Sequence, residues 1–374
     1  MSFNLADYAV NYALKKGATY AEARYTNVFG DSFMLKNGIP EVSGFDSSIG
    51  IGLRFIVKNT LGFASINHID KKKIESSIDK GIKITKTSSR LGKDIKLSKE
   101  TTEKEKYVVL QKEKLNSVSP ETKLNALIDL DKSLTHINNR YFSLSTETTE
   151  QYFVNSEGTK INSTIPRINL FYFLTLIDKG KSIQRYWQYG NSGGWEFFDK
   201  WNLHENITKD FDALKNNLRK AVKPPKGKLD VVVYPEVTGI MVHESIGHPC
   251  EADRIFGREA AQAGESFIEK DMLGTKIANE IVSIVDDPTI KNSFGFYIYD
   301  DEGVKARKRY LIKNGYFQEF LHDRETSYSS NIKSNASSRA TSYSVEPLIR
   351  MANTYLSPGD YKDEELIEDI KLGV

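Results

Sequence analysis

Two dipeptides, Asn37-Gly38 and Lys58-Asn59, constrain this 374-residue chain more than any other local signal. The first interrupts "SFMLKNGIPEVSGF", which follows the strand-like "AEARYTNVF"; the second separates "IGIGLRFIV" from "LGFASIN". Alternation with a period of two turns one face of a strand toward a core and the other toward water. Asn-Gly tolerates the positive φ that a two-residue hairpin demands, so residues 21 to 67 are expected to fold back as hairpins. Helices frame them. Leu5, Tyr8, Ala9, Tyr12 and Ala13 follow helical spacing, which predicts a helix over about Leu5 to Lys16, closed by Gly17. A second helix is expected over residues 71 to 88, with Ile74, Ile78, Ile82 and Ile84 as its apolar stripe. The polar stretch from 89 to 106 reads as a connector.

The same order then recurs. Pro120 to Ile137 is amphipathic, Arg140 to Gly190 divides into four or five strands with turns at Glu157-Gly158 and Lys179-Gly180, and residues 205 to 221 read as a helix. "FMLKNGIPEVSG" echoes "YFVNSEGTKINS", as an internal duplication would leave behind. "KPPKGK", 223 to 228, breaks the pattern with two prolines. The expected organisation is an N-terminal domain over 1–222 and a C-terminal domain over 229–374. The fold class is α+β: antiparallel sheet with packed helices first, then a β-rich domain.

Composition narrows the function. With 52 basic and 50 acidic side chains the net charge is +2, which gives no electrostatic reason to bind nucleic acid or an anionic membrane. Cys250 is the sole cysteine, so no disulfide framework forms and a reducing, cytoplasmic setting is expected. No apolar run approaches the roughly 20 residues of a membrane helix.

The C-terminal domain is expected to open with a buried-type strand, Leu229 to Tyr234. A helix should follow, with Pro235 in its first turn and Val237, Ile240 and Met241 as its apolar face. That helix runs into "MVHESIGHPCEAD", residues 241 to 253. His243 and His248 lie five apart, with Glu244 beside the first. On a regular α-helix they would point about 140° apart, too far to share a cation, whereas a four-residue spacing leaves about 40°. Either of two local departures would bring them together. The helix could end near Ile246, with Gly247 as a left-handed cap and Pro249 disfavouring α conformation at His248. A single π-bulge would equally absorb the extra residue. Both routes leave Glu244 near a bound metal, free to act on water.

This stretch closely resembles the H-E-x-x-x-H signature of the TldD/PmbA family of zinc metallopeptidases. The likeness continues through "IVDDPTI", "DDEGVKARKRYLIKNG", "NASSRATS" around Arg339 and "PLIRMANTYLSPG". The resemblance is to the branch that keeps the metal motif, and implies His243 and His248 as zinc ligands and Glu244 as general base. It implies hydrolysis of peptides or unfolded segments, and pairing with a metal-free PmbA/TldE-like subunit. In the family a third ligand is a cysteine further toward the C-terminus. Cys250 does not match that position, so the expectation is a chain short of family length that binds zinc weakly alone. A non-catalytic subunit or scaffold with an incomplete site is the alternative reading.

Other signals carry no assigned role. "GNSGG", 190 to 194, matches G-x-S-x-G, but a glycine-rich loop is expected, with no clear helix start after it. Asp286-Asp287 and Asp300 to Gly303 read as turns. Glu251 and Asp253 could accept an imidazole N–H or face a helix N-terminus. His68, His136, His204 and His322 are isolated, and Trp187 and Trp195 read as core or sheet-face residues.

Overall fold

The structure, a computed structural model, describes residues 3–67, 70–90, 94–257, 266–368 and 370–373. His68 lies outside them. Helix α1 (Phe3–Lys15) ends as expected: Gly17 takes a φ of 99° and the Ala18 amide donates to the Ala13 carbonyl. Strands β1 (Tyr20–Lys36), β2 (Ile39–Val57) and β3 (Thr60–Ile66) follow. Asn37-Gly38 and Lys58-Asn59 join them with φ values of 50° and 80°, then 51° and 56°. Positive φ at both central residues matches the right-handed twist of the flanking strands.

Helix α2 (Lys71–Ser88) starts at Asp70, whose side chain accepts from the Lys73 amide. It buries Ile74, Ile78, Ile82 and Thr85. Ile84 is exposed, because two residues after Ile82 a helix presents its opposite side. The expected connector contains a strand, β4 (Lys104–Val108), paired parallel to residues 160–164. Main-chain bonds hold this mostly exposed segment, so no apolar alternation announced it.

The second set of helices and strands is more regular than expected. Helix α3 stops at Lys132 rather than Ile137 (Pro120–Lys132). Three long strands then replace the expected four or five: β5 (Asn139–Asn155), β6 (Lys160–Asp178) and β7 (Lys181–Ser192). A short helix α4 (Glu196–Lys200) does follow "GNSGG", contrary to expectation, and α5 (Leu203–Lys220) closes the set. Among the described residues these strands form one sheet in the order β3-β2-β1-β5-β6-β4, with β7 also on β6. The first strands of the two sets, β1 and β5, pair antiparallel from Glu22–Asn155 to Lys36–Tyr141. Helices α1 and α2 cover one end of the sheet through Ala9, Phe55 and Ile78; α3 and α5 cover the other through Leu127, Leu170 and Leu214.

In the remainder, Leu229 to Tyr234 is not a buried strand. One bridge, Asp230 to Gly373, is its pairing, and Val231 and Tyr234 are exposed. An apolar run supplies side chains for burial, but among the described residues no neighbouring strand holds it. Helix α6 (Pro235–Val242) has Pro235 in its first turn as expected, yet Val237, Ile240 and Met241 are exposed and Val242 is the buried residue. After α7 (Ala252–Ile255) come β8 (Ile284–Asp286), β9 (Arg309–Lys313), β10 (Tyr316–Phe317), α8 (Arg324–Ser329) and β11 (Ser338–Arg339). Strands β12 (Leu348–Ile349) and β13 (Thr354–Leu356) complete an antiparallel sheet, β10-β9-β8-β13, and a separate β11-β12 pair. The class is α+β.

Buried polar contacts join this part to the first sheet. Arg54 on β2 binds Glu22 at 2.8 Å and also Glu302. Arg324 reaches the Tyr20 hydroxyl at 2.9 Å and the Ser98 carbonyl at 2.7 Å. Asp286 lies in β8 rather than a turn and pairs with fully buried Arg309. The Asp300 carboxylate accepts from the Glu302, Val304 and Ser338 amides. No helix among the described residues is long and apolar enough to cross a membrane.

Candidate metal centre

The helix α6 does not end at residue 246. It widens into a π-turn over His243–Gly247, in which the His248 amide donates to the His243 carbonyl at 3.0 Å. On such a turn the residue five ahead stands about where four ahead stands on an α-helix, so the extra residue is absorbed. The two imidazoles meet edge to face with ring centres 4.7 Å apart. Of the two routes open in the sequence, the bulge is the one present. Gly247 has no left-handed φ, and His248 keeps α conformation (φ −60°, ψ −45°) despite the proline after it. The chain beyond holds it there: the Ala252 amide donates to the Leu321 carbonyl, and the Leu321 amide to that of Cys250. Gly247 is instead required by space. A Cβ built there would stand 1.9 Å from the Met351 sulfur.

Donor atoms of His243, Glu244 and His248 lie within 4.8 Å of one another. Two imidazoles and a carboxylate form a donor set that suits zinc, and one side of it is open to solvent. Burial, with the neighbouring His248, holds the His243 imidazole below its usual pKa; burial, with Arg254, does the same for His248. Both rings are therefore neutral at pH 7, the form that binds a cation. The orientation of His248 has a visible cause. Its Nδ1 lies 3.1 Å from Glu251, a fully buried carboxylate that Arg254 also binds at 2.5 Å. A carboxylate only accepts, so this contact places the proton on Nδ1 and leaves Nε2 for a metal; the Arg254 approach to Nδ1 is longer, at 3.4 Å.

Cys250 sits two residues beyond His248 but faces the core formed with Leu311, Phe320 and Ile349, and burial pushes its thiol up. Asp253 is buried as well. His322 is buried beside Thr326, and His136 packs edge-on to Phe211. Trp195 is buried in the core under the second set, with Trp187 packed against it. Ser192 of "GNSGG" is fully buried. Sequence reasoning did not find Met351 or Arg254. The i, i+3 spacing of Glu251 and Arg254 was a legible signal; Met351, a hundred residues away, left none.

Family models match most of the chain: the PmbA/TldA metallopeptidase C-terminal domain over 226–374, domain 1 over 21–85 and the central domain over 113–222. A metalloprotease of Methanocaldococcus jannaschii is 32% identical over 363 residues, 95% of this chain and 77% of that protein. The chain belongs to the TldD/PmbA metallopeptidase family. A Saccharolobus solfataricus protein named zinc metalloprotease TldD homolog is 27% identical over 378 residues, 97% of this chain and 78% of its own. TldE from Thermococcus kodakarensis shares the fold, with a TM-score of 0.73 at 17% identity over 99% of this chain and 81% of that one. The chain thus spans about three quarters of the length of relatives matched end to end.

Proposed function

We propose that this chain is a zinc peptidase in which His243 and His248 hold the metal and Glu244 is the general base. The observation that carries the reading is the π-turn, an irregularity that sets two imidazoles 4.7 Å apart beside a carboxylate. Zinc in such a site supplies Lewis acidity and brings the pKa of a water toward neutrality. Glu244 would accept the proton and return it to the leaving amine. His248, held by Glu251, presents one nitrogen in a fixed direction.

Substrates in this reading are peptides or unfolded segments, because a polypeptide must be extended to lie across an open site. A metal-free PmbA/TldE-like partner belongs to the same reading, supported by Val237, Ile240 and Met241, which leave the outer side of the metal helix apolar and exposed. So does a division at 223–228 into domains 1–222 and 229–374, with a duplication in the first. Cytoplasmic placement is supported by the single, buried cysteine. The scaffold alternative is favoured by one fact: Cys250 is directed into the core and adds no donor to His243 and His248.

The test is zinc content and hydrolysis of an unstructured peptide, with wild type and Glu244→Gln. The variant should keep zinc and lose activity by about 100-fold or more. Loss of zinc would make Glu244 a ligand. Stoichiometric zinc without hydrolysis by wild type, with or without a TldE-like partner, would favour the scaffold.

A further inference from the structure

A cavity of about 600 Å³ lies between the first sheet and the segments 294–301, 339–343 and 352–353. Its size falls within the range of sites that hold small ligands or a few residues of a peptide. Phe294, Tyr107 and Ile165 supply apolar wall, and three arginines reach it.

The charges there are unevenly matched. Arg24 donates to the carbonyls of Ser342 and Val345 and lies 3.7 Å from Asp301, which also accepts from Gln151 and the Ala340 amide. Asp300 is saturated by backbone amides, and burial pushes its carboxyl up. Arg167 spends two nitrogens on the carbonyls of Phe294 and Phe296 and stands 3.8 Å from half-exposed Glu147. Arg339 donates once, to the Met351 carbonyl at 2.7 Å, and rests over the Tyr297 ring. Among the described residues no carboxylate lies within ion-pair distance of Arg339. Its charge also reaches Arg167, whose guanidinium is already disfavoured by burial. Arg167 and Arg339 are partly buried cations whose nearby carboxylates are half-exposed Glu147 and Asp301, the latter already held by Arg24, so the pair favours an incoming anion; a guanidinium with N–H groups to spare binds a carboxylate in two-pronged fashion.

Residues 351–353 connect the cavity to the π-turn along the chain. Met351, whose carbonyl holds Arg339, packs its sulfur against Gly247 of the π-turn, and the next two residues, Ala352 and Asn353, line the cavity. We infer that this cavity is a substrate subsite in which Arg339, with Arg167, binds a carboxylate of the peptide a few residues from the bond that is cut. The inference rests on the peptidase reading above. The carboxylate has two sources, the free C-terminus or an Asp or Glu side chain, and both present the same two oxygens.

Binding separates this from the fate of the zinc site. Fluorescent peptides of one unstructured sequence are titrated into the protein and followed by anisotropy: free acid against C-terminal amide, and internal Glu against Gln in the amide form. At least one carboxylate form should bind about 10-fold more tightly, as one charge-assisted pair provides. The advantage should fall to within about two-fold in Arg339→Gln, recover in part in Arg339→Lys, and shrink in Arg167→Gln. Zinc content is measured in parallel. Carboxylate preference that persists without zinc or hydrolysis would sink the peptidase reading and leave the subsite standing. Equal binding of all four peptides by wild type, or a preference unchanged in both Arg339→Gln and Arg167→Gln, overturns the subsite. The wild-type comparison decides even where a variant fails to fold.

Discussion

His248 shows how a single side chain is prepared for chemistry by residues that never touch substrate. Its ring is fixed by Glu251, and Glu251 is held by Arg254 at 2.5 Å and approached by Arg350 at 3.5 Å. Such an outer partner sets the tautomer and the direction of the free nitrogen. Replacing Glu251 with Gln lets either face of the amide turn to Nδ1, so the preference for a proton there is lost. Zinc affinity measured by chelator competition is expected to fall roughly 10- to 100-fold. The ¹⁵N shifts of His248 in the metal-free variant should move from one tautomer toward a mixture. An unchanged tautomer with unchanged affinity would remove Glu251 from this role. Cys250 shows the converse: two residues beyond His248 in the sequence, it lies in a hydrophobic core and not in the His243–Glu244–His248 cluster.

The element that matters most is the five-residue π-turn. Outside it, the Met351 sulfur packs directly over Gly247. A methyl group on Gly247 would fall 1.9 Å from the Met351 sulfur, so one or the other must move. Gly247→Ala is therefore expected to cost about 1–3 kcal/mol in stability by chemical denaturation. It should weaken zinc binding as well, and Met351→Ala in the same chain should recover part of both. Full stability and zinc affinity in the single variant would show that Met351 does not constrain the turn. The hairpins behave differently. Asn37-Gly38 and Lys58-Asn59 adopt their backbone angles for local reasons, and the sequence announced them correctly.

At the scale of the molecule, the first sheet and the C-terminal part are joined by buried ions. Arg54 stands between Glu22 and Glu302, all three nearly inaccessible, and Arg324 threads from the second part to Tyr20 and Ser98. Arg54→Met would leave two carboxylates buried without their cation. We expect a loss of about 3–5 kcal/mol, seen as a lower denaturation midpoint. The triple variant Arg54→Met, Glu22→Gln, Glu302→Gln should lose less, since it strands no charge. A single variant within about 0.5 kcal/mol of wild type would show that this network does not hold the parts together.

By itself the sequence determined what depends on neighbours along the chain. The helix closed by Gly17, the turn dipeptides, the helix starting at Pro235 and the candidate donors His243, Glu244 and His248 all follow from local backbone preference or residue chemistry. It also bounded the geometry, since five-residue spacing required a departure from the α-helix. Which departure occurred was decided by tertiary contacts: Met351 against Gly247, and Leu321 pairing around Cys250 against the bias imposed by Pro249. The same holds where local reading failed. Leu229 to Tyr234 has strand composition but no neighbouring strand beyond one bridge, whereas polar Lys104–Val108 is a strand because β6 offers it main-chain partners. Pairing and packing join residues far apart in the chain, and no local pattern records which of them will meet.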